Sequence, residues 1–95
     1  MEHPPQAEGE RDMSKTAKIY VTLKKSVLDP QGNTVKHALN SLGFKGVQDV
    51  RLGKYMEIKL NGETKSSVED QIRKMCDKLL INPVIEDYTY EIEDE

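Results

Sequence analysis

Few residues in this chain could make or break bonds. Cysteine occurs once, at Cys76, and histidine twice, at His3 and His37. A reactive thiolate needs a neighbouring base or cation to lower its pKa. Cys76 instead stands beside Met75 among apolar residues at helical spacing, the setting of a core thiol. Neither histidine has cysteine or carboxylate neighbours at metal-ligand spacing, and His37 reads as a surface or half-buried helix residue. A lone cysteine excludes an internal disulfide and the paired-cysteine site of a metallochaperone. Gly53-Lys54 looks like the end of a phosphate loop. That loop needs glycine at position 48 and Ser or Thr at 55, where this chain has Gln48 and Tyr55. We therefore expect no catalytic residue, no cofactor site and no metal site on this chain. The remaining candidates are side chains fit for contact, above all tyrosines and Arg51.

The elements that would carry them are legible from periodicity. Ile19, Val21 and Leu23 alternate with Lys18, Tyr20, Thr22 and Lys24, which predicts a strand over Ala17–Lys25 with one buried face. Asp29-Pro30 reads as an N-cap followed by proline in the first helical position. Val35, Ala38, Leu39 and Leu42 then keep helical spacing up to Gly43, a left-handed C-cap. Val47–Leu52 and Tyr55–Leu60 read as two strands around a bend at Gly53. Asn61-Gly62 marks a turn. Ser66 with Glu69 suggests a capping box, opening a helix that carries Val68, Ile72, Met75, Cys76 and Leu79 and stops at Asn82-Pro83. Val84–Ile92 is the last strand, with Tyr88, Tyr90 and Ile92 on one face.

That order is βαββαβ, and it predicts an α+β, ferredoxin-like sandwich: an antiparallel sheet with both helices on one face. The other sheet face is bare in a monomer. It should carry Tyr20, Thr22, Tyr55 and Glu57, plus one set from the last strand. Exposed tyrosines beside unpaired sheet edges favour self-association.

Length and charge narrow the function. Ninety-five residues make one domain. Residues 1–16 lack apolar periodicity and read as an extended or disordered arm, with the domain over 17–95; Met13 could be an alternative start. No apolar run approaches the roughly 18 residues of a membrane span, and no secretory signal is visible, so a cytoplasmic protein is expected. Fourteen Lys and Arg against 17 Asp and Glu give a net charge of −3, which argues against a nucleic-acid binder. The third-strand stretch from Lys54 to Leu60 has one aromatic and no glycine pattern, unlike an RNA-recognition module. The charge is uneven. Residues 17–85 carry a surplus of bases, whereas 86–95 hold six acids and no base. Complementarity within the chain or between copies would follow. A small-ligand regulatory domain of the same topology stays open.

Four collinear stretches carry a resemblance: Val27–Gly32, Val47–Glu57, Met75–Leu80 and Val84–Tyr88. Over about Ala17 to Glu93 the chain resembles the PurS family, the small subunits of phosphoribosylformylglycinamidine synthase. The arm before Met13 is a departure from that family. The resemblance implies a non-catalytic subunit of an ATP- and glutamine-dependent ligase of purine biosynthesis, which amidates formylglycinamide ribonucleotide. Its partners would be a glutaminase subunit, a large synthetase subunit that holds ATP and Mg, and further copies of itself as a dimer or tetramer. On that reading Arg51, Gly53, Lys54, Tyr55, Tyr20 and Tyr88 are the candidate contact residues. Arg offers a fork to carboxylates, and Tyr offers area at low entropy cost. Asp29 to Gly32 read as a cap and turn, and Glu86, Asp87 and Tyr88 as candidates for the basic body of a neighbouring copy.

Overall fold

The alternation of Ala17, Ile19 and Val21 builds the central strand of the computed structural model, which describes residues Ser14 to Asp94. Strand β1 spans Ser14–Leu23, helix α1 Pro30–Ser41, strand β2 Gly53–Asn61, helix α2 Lys65–Met75 and strand β3 Glu86–Asp94. α2 runs on into a π-helical turn, Cys76–Leu80. The sheet order is β2-β1-β3, with both pairings antiparallel.

Register decides which side chains share a face. Ile19 lies opposite Met56 and Tyr90, Ala17 opposite Ile58 and Ile92, and Val21 opposite Tyr88. α2 covers this face. Val68, Ile72 and Cys76 fall at i, i+4 and i+8, one stripe of a helix, and they pack with Ala17, Ile19, Val21 and Ile81 into the core. The opposite face presents Tyr20 against Tyr55 and Thr89, and Lys18 against Glu57 and Glu91.

The α+β class and the antiparallel sheet agree with the expectation. The order of elements does not match it in full: the expected second strand, Val47–Leu52, does not form, and among the described residues the sheet has three strands. The reason is polar. Leu52 donates its N–H to Asp29 Oδ2 at 2.8 Å, so a ladder donor is already engaged by a side chain. Gly53 begins β2 instead of bending between two strands. It lies opposite Thr22, where a Cβ would run into the Val21 carbonyl oxygen. α2 fills the covered face, whereas α1 buries only Gly32.

Local signals hold with small shifts. Asp29 caps α1 by accepting from Gly32 N at 2.8 Å, with Pro30 following. Gly43 takes φ +104° after the helix, as a left-handed C-cap should. Thr64, not Ser66, caps α2, accepting from Ser67 N at 3.0 Å. β3 begins at Glu86 because Asn82 organises a turn over Pro83–Ile85: its side chain accepts from Val84 N, and its carbonyl from Ile85 and Glu86. The expected arm, residues 1–16, lies outside the described residues as far as Met13, and Ser14 to Thr16 open β1.

The acidic end finds its complement within the chain. β3 lies against basic β1, and ion pairs join Lys15 to Asp94, Lys18 to Glu93 at 3.0 Å and Lys24 to Asp87 at 2.7 Å. Lys54 of β2 reaches Glu86 at 3.6 Å. Such exposed pairs add little stability each, but together they oppose any register that places like charges opposite one another.

Candidate interaction site

The bare sheet face carries an aromatic pair. Tyr20 and Tyr55 are cross-strand partners with ring centroids 5.1 Å apart at 37°, within the range of favourable aromatic contacts. They stay 38% and 51% exposed, which is much for side chains whose rings favour burial. Carboxylates hold both hydroxyls: Tyr55 donates to Glu57 at 2.7 Å, and Tyr20 to Glu91 at 3.5 Å. The Glu57 carboxylate stabilises the neutral phenol and pushes the Tyr55 pKa up to about 12. Beside them the hydrogen bond and charge of Glu93 raise the pKa of Lys18. The patch is thus two rings in a frame of fixed charges.

The Tyr55 hydroxyl makes a first prediction. In an absorbance titration one phenol should ionise near pH 12, and that step should vanish in Tyr55→Phe and move down in Glu57→Gln. A high-pH step that is unchanged in Tyr55→Phe and in Glu57→Gln would show that the Tyr55–Glu57 bond does not exist in solution.

Of the six candidate contact residues, four gather at one corner: Tyr20 on β1 with Gly53, Lys54 and Tyr55 at the start of β2. Tyr88 stands apart. It lies on the covered face opposite Val21, against the core, with its ring 6.3 Å from that of Tyr90. Burial raises the pKa of both Tyr88 and Cys76. Glu86 and Asp87 are paired with Lys54 and Lys24 of the same chain. Arg51 points back into the chain, where its Nη2 donates to the carbonyls of Lys24 at 2.8 Å and Val27 at 2.9 Å. His37 is exposed on α1, and His3 lies outside the described residues. Among the described residues no three His, Cys, Asp or Glu side chains come together as metal ligands.

Two features escaped the sequence reading. Asp29 is a cap, but it is also buried, and its second oxygen ties the segment before β2. Hydrogen bonds from Leu52 and Gly32 hold its carboxyl below the usual range. α1 and its flanks leave apolar side chains in solvent: Leu28 is 70% exposed, Leu42 74% and Phe44 58%. The seven-residue spacing of Leu28, Val35 and Leu42 is the sequence signal for this stripe.

An open-faced α+β sandwich whose distinctive surfaces are apolar and aromatic contact patches is a protein-interaction subunit by class. Comparison with known proteins makes this specific. The family model for PurS, phosphoribosylformylglycinamidine (FGAM) synthase, matches residues 16–94. The Bacillus subtilis phosphoribosylformylglycinamidine synthase subunit PurS is 53% identical over 77 residues, covering 81% of this chain and 90% of that protein. The Synechocystis subunit is 49% identical over 75 residues, covering 79% and 75%. The crystal structure of B. subtilis PurS superposes with a TM-score of 0.77 at 51% identity, over 84% of this chain and 99% of that one. A chain from the structure of PurLQS from Thermotoga maritima superposes with a TM-score of 0.77 at 30% identity, over 83% and 96%. The chain belongs to the PurS family of phosphoribosylformylglycinamidine synthase subunits.

Proposed function

We propose that this chain is the non-catalytic assembly subunit of a phosphoribosylformylglycinamidine synthase, holding a glutaminase subunit against a large synthetase subunit. The observation that carries the reading is the exposed Tyr20–Tyr55 pair on an uncovered sheet face, in a chain whose relative from Thermotoga maritima is part of a PurLQS structure. ATP and Mg belong to the synthetase, and this chain carries neither. Partners are the two larger subunits and further copies of the chain, not nucleic acid or membrane. Among the described residues no helix is long and apolar enough to cross a membrane, in keeping with a cytoplasmic place.

Docking has a chemical purpose. Ammonia freed into neutral water is mostly protonated and then has no lone pair for attack. A path closed to water keeps it neutral and close to its acceptor. A rigid sandwich can hold two protein surfaces in register without doing chemistry.

Tyr55→Ala tests the reading. Aromatic anchors at interface centres carry a large share of binding energy, so partner affinity should fall at least about tenfold, with the melting temperature close to wild type. Analytical ultracentrifugation of the reconstituted complex checks it. Unchanged assembly would remove the aromatic pair from the interface, and product formation from ATP, glutamine and substrate by the purified chain alone would refute a non-catalytic role.

A further inference from the structure

The segment between β1 and β2, residues 24–52, buries little apolar surface, yet it has a defined place. Only Asp29 and Gly32 are buried within it. Polar ties do the holding. Asp29 Oδ1 accepts from Gly32 N and Oδ2 from Leu52 N, both at 2.8 Å. Arg51 binds the carbonyls of Lys24 and Val27. Gly32 lets the first turn of α1 meet the Val50 carbonyl, an approach any Cβ would block. The start of α1 and the lead into β2 thus meet at one buried carboxylate, and Arg51 ties the exit from β1 to them. The unit so held is apolar outside, with a surplus of bases over the one exposed acid, Asp49. Leu28, Leu42 and Phe44 are exposed. Lys25, Lys36 and Lys45 have no ion-pair partner among the described residues, while Lys24 and Lys54 are paired with β3.

We propose that Asp29 and Arg51 are positioning residues that hold α1 as a rigid docking arm for an acidic, apolar-studded surface on a partner subunit of the synthase. The occupant follows from charge: unpaired lysines beside exposed leucines and a phenylalanine complement carboxylates around an apolar patch. The hydrogen bonds of the tie lie within the chain. They fix where the arm stands, so binding incurs less ordering cost. This rests on the assembly reading above.

Asp29→Asn separates the two roles of the carboxylate. Asparagine still caps Gly32 through its oxygen, but it turns an amide donor toward Leu52 N–H. In hydrogen exchange on the full-length variant, amides of α1 should exchange at least tenfold faster, with those of α2 unchanged. Affinity for the co-purified glutaminase and synthetase subunits should fall at least tenfold. The double reversal Lys36→Glu with Lys45→Glu should cost at least tenfold in the wild-type background and markedly less in Asp29→Asn. Unchanged exchange in α1 would overturn the proposal, as would faster exchange with affinity within twofold. Charge reversals that alter only self-association would give the arm to a second copy and also overturn it. If the wild-type chain itself fails to bind the two subunits, the assembly reading falls with it; if wild type binds and the variants bind equally, only the arm is refuted.

Discussion

Ile72→Ala is expected to destabilise the chain by about 2–5 kcal/mol, the cost of emptying a core site that cannot fully collapse. Ile72 is fully buried, and with Ile19, Val21, Val68 and Cys76 it is among the largest side chains wholly removed from water. It projects from α2 onto the three described strands, and α1 adds no buried side chain to that core. A domain of this size has about 5–15 kcal/mol in all. One truncation therefore removes a large fraction of the total and should lower the melting temperature on the order of 10–20 °C. Circular dichroism against temperature and urea checks this. Ile72→Val, which keeps most of the volume, should cost about 0.5–1.5 kcal/mol. A shift of less than a few degrees for the alanine variant would mean that the α2–sheet contact is not the core. The contrast with Asp29→Asn is informative: the core variant should weaken assembly by unfolding the chain, the tie variant without unfolding it.

How much of this could be read from the sequence depended on the range of the interaction. The alternation in β1 and the Asp29-Pro30 start of α1 are local patterns, and both appear in the structure. Of the expected run Val68, Ile72, Met75, Cys76 and Leu79, the structure buries Val68, Ile72 and Cys76, leaves Met75 half-buried, and puts Leu79, in the π-helical turn, in solvent. Val47–Leu52 has the composition of a strand. Its backbone is diverted by Asp29, 23 residues away from Leu52, and no local pattern reports such a partner. The last strand shows a subtler limit. Its period put Tyr88, Tyr90 and Ile92 on one face, as found, but period alone does not say which face meets the core. Register against β1 decides it, placing Tyr88 opposite Val21 and Tyr90 opposite Ile19. Three of the four tyrosines look alike as contact candidates in the sequence, and only pairing separates the exposed couple from Tyr88. Arg51 is the same case. Its fork suits a partner's carboxylate, but two carbonyls of the preceding loop lie within reach.

Gly32→Ala should loosen α1 rather than stabilise it, against the ordinary rule for helices. A helical glycine usually gains about 1 kcal/mol on becoming alanine, through reduced backbone entropy in the unfolded chain. Gly32 lies in the first turn of α1, and its φ is not in the left-handed region, so the backbone conformation itself would accept a side chain. Space would not. The new Cβ would overlap the Val50 carbonyl oxygen and stand 2.9 Å from its carbon and 3.0 Å from Asp29 Oδ2. These are a main-chain group and the buried carboxylate of the tie, neither of which can swing away as the end of a flexible side chain could. Relief requires the start of α1 to move off Val50, and that pulls Asp29 from Leu52. Overpacking of this kind costs about 1–3 kcal/mol, more than the entropy gain. Gly46→Ala is the control: nothing lies within 4 Å of a Cβ there, so it should be neutral or slightly stabilising. Hydrogen exchange across residues 30–52 and partner affinity should both worsen at least tenfold in Gly32→Ala and hold steady in Gly46→Ala. Equal behaviour of the two variants would mean that α1 does not rest on Val50, and that no tie at Asp29 sets its place.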